Sequence, residues 1–198
     1  QVMYFAMIAI FIFQFFSYQK IKALLVILII IPSIFYTAYQ TSPLFSERVD
    51  LAVHNSINYS ENKGSSVGLR MTIAINSWEV IRENLIIGIG TGDFPSEYWR
   101  INQVNTPQLP ITQNPHNMYT LIAMQLGLIG IISMFSIFYY QLKMSFSTSN
   151  KFVRDVGIVL PLLFLVIMWS DSYLLGHYTT LMFVFFSSFL HKDFEQFE

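Results

Sequence analysis

The sequence contains no cysteine, and charged residues make up only 12% of its 198 positions. Without cysteine, the chain can form neither a disulfide bond nor a thiolate metal site. Its four histidines do not have the spacing of metal ligands, so we expect neither a metal nor another cofactor. The formal net charge of −1 gives no overall attraction for nucleic acid, which we therefore do not expect as a partner.

Long apolar runs are abundant instead. Hydrophobic residues make up 54% and aromatic residues 17% of the chain, which is far from the composition of a soluble domain. A helix needs about 20 apolar residues to cross a bilayer. The composition therefore predicts an all-α fold, a polytopic bundle of transmembrane helices surrounded by membrane lipids. The candidate spans are residues 2–16, 21–39, 117–140, 154–170 and 173–190.

The basic residues beside these spans mark one side of the membrane, which the positive-inside rule assigns to the cytoplasm. The chain then divides into two transmembrane helices in residues 1–39, a large external, periplasmic loop in 40–115, and three transmembrane helices with a short cytoplasmic tail in 116–198. The basic residues that set this orientation are Lys20, Lys22, Lys143, Lys151, Arg154 and Lys192.

The first run, residues 1–16, lacks the basic start and the small-residue cleavage site of a signal peptide, so we interpret it as a membrane helix. Because the chain opens inside this helix without an initiator methionine, we expect the helix to be cut short and earlier spans to precede it.

The loop 40–115 contains two kinds of sequence. Residues 45–67 are polar and rich in Asn and Ser, which predicts a mobile stretch. Residues 69–85 instead predict an amphipathic helix that rests on the membrane domain or its interface. Arg70 lies at the border of its apolar stripe. The predicted apolar positions are Met71, Ala74, Trp78, Ile81 and Leu85, and the opposite positions are Thr72, Asn76, Glu79 and Glu83.

Three glycines, Gly88, Gly90 and Gly92, follow this helix. They resemble a phosphate loop only superficially, because the Lys-Ser/Thr pair of a P-loop and a preceding strand are both missing. We interpret them as a turn. The alternative is a backbone anion site beside Arg70.

The sharpest local feature is the motif at residues 114–117. Asn114 is a good N-cap and Pro115 suits a first helical position, which predicts His116 in the first turn of a helix at the outer membrane boundary. A neutral imidazole there could act as a general base, although an interfacial or capping role is the alternative. Further along, Gly127 and Gly130 predict close helix packing.

For other candidate residues, taken alone, the structural explanation is the commoner one. Tyr98 and Trp99 could stack on sugar rings or anchor the chain at the interface. Arg70 could bind an anion, snorkel or pair with a surface acid. Asp171 and His177 lie near the predicted outer turn between the last two spans, where proximity to water weakens a functional interpretation.

Residues 115–117, followed after nine residues by Gly127 and after two more by Gly130, resemble the signature of O-antigen ligases and related O-linked oligosaccharyltransferases. In that signature a histidine and an amide are followed at a fixed distance by glycines.

A second pattern lies upstream. Arg70 with Trp78 eight residues later, and then residues 84–94, resemble the external loop of the same superfamily. The two patterns occur in the right order and cover approximately residues 65–135. The remainder is similar only in hydropathy.

The resemblance implies an inverting glycosyltransferase that needs no metal. Such enzymes transfer a glycan from an undecaprenyl diphosphate carrier to an acceptor hydroxyl at the outer face of the bacterial inner membrane. The acceptor is lipid A-core for a ligase and the growing glycan for a polymerase. By position, His116 would be the catalytic histidine and Arg70 would hold the diphosphate. Candidate sugar or acceptor contacts are Asn117, Trp78, Tyr98 and Trp99.

The sequence departs from the family in one respect. The family usually carries a second arginine at the start of a preceding span, whereas the span at Gln1 begins without one. We expect that arginine before the first residue, and we disfavour Arg48 as a substitute. The chain alone is accordingly expected to bind donor poorly and to be inactive.

Three alternatives remain at this point. The motif spacing slightly favours a ligase over a repeat-unit polymerase. A transporter or flippase for lipid-linked sugar is disfavoured, because the spans show neither a run of inward polar residues nor paired broken helices. A purely structural membrane subunit would tolerate alanine at Arg70 and His116.

Overall fold

The computed structural model describes residues 20–190, and the regular elements in this part of the chain are all helical. The predicted all-α class agrees with it. The predicted span 2–16 and the tail 191–198 lie outside the described residues. The elements are α1 (Lys20–Thr41), α2 (Pro43–Ile57), α3 (Ser66–Glu83), α4 (Phe94–Asn105), α5 (Met118–Ser147), α6 (Lys151–Ile167), a 3₁₀ turn (Tyr173–Leu175) and α7 (His177–Leu190).

The bundle of five spans is not confirmed. Within residues 20–190, α5 is the one helix long and apolar enough to cross a membrane, and α1 with α2 passes the same test only as a pair bent by 106°. The bend follows Ser42, because Pro43 has no N–H to continue the ladder of α1. The run 173–190 is divided by Gly176 into the 3₁₀ turn and α7, which has only 14 residues.

The stretch 45–67 was predicted to be mobile, and that prediction is wrong over most of its length, because α2 occupies Pro43–Ile57. The Ser42 hydroxyl accepts a hydrogen bond from the Phe45 N–H at 3.3 Å, and Pro43 stands in the first turn. Serine at the N-cap and proline just inside the helix are start signals that outweigh the polar composition of the stretch.

Helix α3 forms where the amphipathic helix was predicted, but it buries a different face. Thr72 and Asn76, assigned to the polar side, are each 1% exposed, whereas Trp78, assigned to the apolar side, is 57% exposed. Hydrogen bonds explain the difference. The Asn76 side-chain amide donates to the Thr106 hydroxyl at 3.1 Å, and that hydroxyl donates to the side-chain oxygen of Asn102 at 2.7 Å. A satisfied polar network can be buried, which periodicity of apolar residues does not reveal.

Helix α5 is broken at Gly127, whose backbone angles (φ 60°, ψ −152°) are not helical. Such angles are essentially restricted to glycine. Two carbonyls just before the break and two N–H groups just after it therefore lack partners within the helix. Residues 85–90, which we name the clasp, supply the replacements. The Ile89 and Gly90 N–H groups donate to the Met124 and Gln125 carbonyls at 2.8 and 3.0 Å, and the Leu128 and Ile129 N–H groups donate to the Leu85 and Ile86 carbonyls at 2.9 and 3.3 Å.

The approach of the clasp to α5 leaves no room for a side chain at two glycines. A Cβ on Gly127 would lie 2.4 Å from the Ile86 carbonyl oxygen, and a Cβ on Gly88 would lie 2.4 Å from the Gln125 carbonyl carbon. Gly127 therefore packs against a loop rather than against another helix. Through the clasp, the polar insert that contains α3 is joined to the middle of α5.

Candidate active site

His116 stands just before α5 rather than inside it. The helix begins at Met118, and Asn117 is the N-cap, with its side-chain oxygen accepting from the Thr120 N–H at 3.0 Å. The prediction that Asn114 caps the helix and that His116 lies in its first turn is therefore wrong. His116 has a φ of +52°, in the left-handed region, where histidine is found more often than most non-glycine residues.

The side chain of Asn114 holds this conformation. Its carbonyl oxygen accepts from the His116 backbone N–H at 2.9 Å and also from the Ser172 hydroxyl at 2.7 Å. A side-chain oxygen that accepts the N–H two residues on is an Asx turn, which competes with helix formation. Asn114 therefore stabilises the loop before α5 and does not cap the helix. It also links this loop to the turn after α6.

The imidazole of His116 meets Asp171. Its Nδ1 lies 3.2 Å from Oδ1 of Asp171, and each side chain remains 43% exposed. The same Asp171 oxygen accepts from the Ser172 N–H at 2.8 Å, which fixes the orientation of the carboxylate. The two residues therefore form an open dyad of a carboxylate and a histidine at the surface.

Two further hydrogen bonds connect the start of α5 to the end of α6. The Met118 N–H donates to the Met168 carbonyl at 2.9 Å, and the Asn117 side-chain amide donates to the Trp169 carbonyl at 3.0 Å. Both the oxygen and the nitrogen of the Asn117 side chain therefore bond to the protein itself, the oxygen as the cap of α5 and the nitrogen as a link to Trp169. The dyad rests on a hydrogen-bonded junction of two helix ends.

The pairing of His116 with Asp171 was not foreseen, because 55 residues separate them. The available signal was the proximity of both to the same end of neighbouring predicted spans. Asp171 was considered only as a weak candidate. The other histidine near this turn, His177, begins α7 and is exposed.

Arg70 lies on α3 and is exposed. Within residues 20–190, no ion pair or hydrogen bond of its side chain is found, and none joins it to His116. The surface cation that is paired in this region is Arg100, which contacts Glu83 at 2.6 Å and Glu97 at 2.8 Å. Arg70 thus keeps its guanidinium available for an anion.

The candidate aromatic residues differ in their exposure. Tyr98 is 1% exposed and stacks on Phe94 at 5.6 Å between ring centroids, so its ring belongs to the core and presents no face to a sugar. Trp78 and Trp99 are 57% and 51% exposed. Trp169, which was not singled out in the sequence, is 73% exposed beside the dyad.

The glycine run serves the clasp. Gly88, Gly90 and Gly92 all have positive φ, as the predicted turn requires. The N–H groups of Ile89 and Gly90 already donate to α5, so they are not available to an anion. The alternative of an anion site built on these two amides does not fit the structure.

Comparison with known proteins gives one family. The family described as O-antigen ligase matches residues 1–135, which is more than half of the chain. The chain belongs to the O-antigen ligase family. The resemblance seen in the sequence motifs is thereby confirmed. A search of curated proteins gave no match.

Membership of the O-antigen ligase family has general consequences. The family is membrane-associated and glycosyltransferase-like, and it acts in lipopolysaccharide biosynthesis with lipid-linked glycans. The match includes the clasp, Arg70, His116 and the break at Gly127, and it ends within α5. Asp171 lies beyond it.

Proposed function

We propose that this O-antigen ligase family protein transfers a glycan from undecaprenyl diphosphate to an acceptor hydroxyl at the outer face of the bacterial inner membrane. In this proposal His116 is the general base and Arg70 binds the diphosphate. The preferred acceptor is lipid A-core, and a growing glycan, extended by a polymerase, is the second candidate.

The contact between His116 and Asp171 carries the proposal. A carboxylate can only accept a hydrogen bond, so the 3.2 Å contact favours the imidazole with its proton on Nδ1. Nε2 of the neutral ring then retains its lone pair. Because both side chains are 43% exposed, an acceptor hydroxyl can approach this nitrogen.

The reaction follows from this arrangement. The acceptor oxygen forms a bond to the anomeric carbon while its proton passes to Nε2 of His116. The bond from the anomeric carbon to the diphosphate oxygen breaks, and its electron pair leaves with the diphosphate. Attack opposite the leaving group inverts the anomeric centre. Asp171 stabilises the imidazolium that forms, in the manner of an aspartate behind a catalytic histidine.

The leaving diphosphate needs its growing negative charge stabilised. A guanidinium suits this role because its N–H groups match phosphate oxygens in pairs. Support for Arg70 comes from its motif position and from its side chain, which forms no ion pair within residues 20–190. A second arginine from a preceding span would complete the diphosphate site.

The alternative of a transporter gains one feature from the structure, since α5 is broken within its apolar length. Broken helices in transporters use their free backbone groups to bind substrate. Here the Met124 and Gln125 carbonyls are occupied by the clasp. These carbonyls bind the protein's own loop and are not free to bind a substrate. The transfer reaction therefore remains the preferred function.

The surface glycan of living cells distinguishes these functions. Cells that lack the protein are complemented with wild type or with His116→Ala, and the glycan is separated by electrophoresis. Long glycan that remains on its lipid carrier beside bare core indicates a ligase. Single repeats on core indicate a polymerase. A His116→Ala profile equal to that of the wild type would overturn the catalytic role of His116.

A further inference from the structure

The clasp contacts α5 far from its first residue. Its hydrogen bonds reach residues 124–129, whereas α5 begins at Met118. At a rise of 1.5 Å per residue, the contact lies about 9 to 16 Å along the helix. A segment within the predicted external loop thus descends beside the helix that can cross the membrane.

The position of the bilayer along α5 is limited by its sequence. Residues 118–142 carry no charge, and Lys143 ends this stretch. The stretch is about 37 Å long, and the hydrocarbon core of a bilayer is about 30 Å thick. A core of that thickness begins at most about 7 Å past Met118, so every placement along an upright helix includes the contact with the clasp.

The outer surface of the clasp is apolar. Three consecutive residues, Leu85, Ile86 and Ile87, are 45%, 63% and 72% exposed. Exposed apolar residues in an unbroken run would be unfavourable in water. Within the hydrocarbon core of a bilayer, the same apolar run would contact apolar acyl chains.

Part of the backbone of the clasp has hydrogen-bond partners within the protein. Non-helical backbone at membrane depth requires protein partners for its polar groups. The N–H groups of Gly88, Ile89 and Gly90 donate to carbonyls of the chain, and the carbonyls of Leu85 and Ile86 accept from α5. The break at Gly127 supplies four of these five partners, since only the Gly88 N–H bonds elsewhere, to Asn84.

We propose that the clasp is a re-entrant loop, and that Leu85, Ile86 and Ile87 contact the acyl chains of bilayer lipids. Depth along α5, apolar exposure and the four backbone hydrogen bonds to α5 lead to this assignment independently of the transfer reaction. The external insert is accordingly anchored in the outer leaflet between α3 and α4, and its helices are held at the membrane surface.

Single cysteines test the proposal directly, because these 198 residues contain none. Ile86→Cys and Ile87→Cys report on the clasp, and Val104→Cys, 78% exposed on α4, is the matched control. Each variant of the full-length protein is labelled with a nitroxide in vesicles of phosphatidylethanolamine and phosphatidylglycerol. Collision with oxygen, which dissolves in lipid, is compared with collision with a water-soluble nickel chelate.

For lipid contact, positions 86 and 87 collide with oxygen and lose collision with the chelate, while position 104 collides with the chelate. Chelate collision at positions 86 and 87 equal to that at 104 would place the clasp in water and overturn the proposal. Low collision with both reagents at 86 and 87 would mean that another protein segment covers them, which overturns it equally.

Discussion

At the scale of single residues, the dyad depends on contacts made by its neighbours. His116 adopts a positive φ because Asn114 accepts its N–H, and Asp171 is oriented by the Ser172 N–H. Ser172 also donates to Asn114, so the two halves of the dyad are fixed by one set of hydrogen bonds. The imidazole is thereby positioned before any substrate arrives.

Asp171→Asn removes the negative charge of the dyad and keeps its shape. We expect kcat to fall while KM for the lipid-linked donor stays nearly constant, because the imidazolium loses its stabilising partner only when it forms. The fall is smaller than that caused by His116→Ala, which removes the base and costs roughly 10²–10⁴-fold. Steady-state transfer kinetics measure both values.

The control for Asp171→Asn is His177→Ala, which removes an exposed histidine near the same turn. It should leave both constants unchanged. Restoration of part of kcat by Asp171→Glu would support a charge-dependent positioning role. Equal kcat in Asp171→Asn and wild type would contradict the assigned role of Asp171.

Arg70→Ala should weaken donor binding and abolish transfer, since the diphosphate loses a paired cation. Arg82→Ala is the matched control, because Arg82 is an exposed arginine on the same helix. Donor affinity is measured by titration of the purified protein with undecaprenyl diphosphate. Equal affinities in the two variants would remove Arg70 from the diphosphate site.

The sequence motif could identify His116 and Arg70 as candidates, since both lie in short patterns with fixed spacing. It could not supply Asp171, because that contact depends on how the ends of α5 and α6 meet. Nor could it place Tyr98, whose ring is suited equally to sugar stacking and to the core. Burial against Phe94 decides that question, and burial is a tertiary property.

At the scale of elements, the clasp joins α3 and α5 through backbone groups. Backbone contacts do not depend on side-chain identity, so the periodicity of apolar residues does not predict them. The glycines indicate the contact, because Gly88 and Gly127 occur where a Cβ would lie 2.4 Å from backbone atoms. The sequence predicted that Gly127 is structural, although it suggested contact with a helix.

Gly127→Ala should lower the free energy of unfolding by at least about 2 kcal/mol, from the forbidden backbone angles and the clash with Ile86 together. Gly64→Ala is the control, because nothing lies within 4 Å of its Cβ position and no positive φ is found there. Thermal unfolding in detergent measures the difference. Equal midpoints for the two variants would contradict the close approach at Gly127.

Helices α2 and α3 show how element predictions fail in physical terms. Helix α2 was not predicted, because its stretch is polar in composition and the helix-start signal at Ser42 and Pro43 was given less weight than that composition. In α3 the helix was correct and its buried face was not, because Asn76 is buried through hydrogen bonds to Thr106 and Asn105. Apolar periodicity assumes that burial follows hydrophobicity, and here it does not.

At the scale of the whole molecule, hydropathy and motif spacing were sufficient to predict an all-helical protein of the O-antigen ligase family. The number of spans was not predictable, because apolar runs do not reveal where helices stop. Gly176 divides one of those runs, and Pro43 starts a separate helix just after another. The orientation of the loop 40–115 remains a prediction that rests on the distribution of basic residues.

The central claim is that His116 is the base of a glycan transfer reaction, and the rate of that reaction tests it most directly. Full-length wild type, His116→Ala and His177→Ala are purified and supplied with the same undecaprenyl diphosphate-linked glycan and lipid A-core. We predict wild-type transfer by His177→Ala and loss of transfer by His116→Ala, with both variants folded. Transfer by His116→Ala at the wild-type rate would contradict the account.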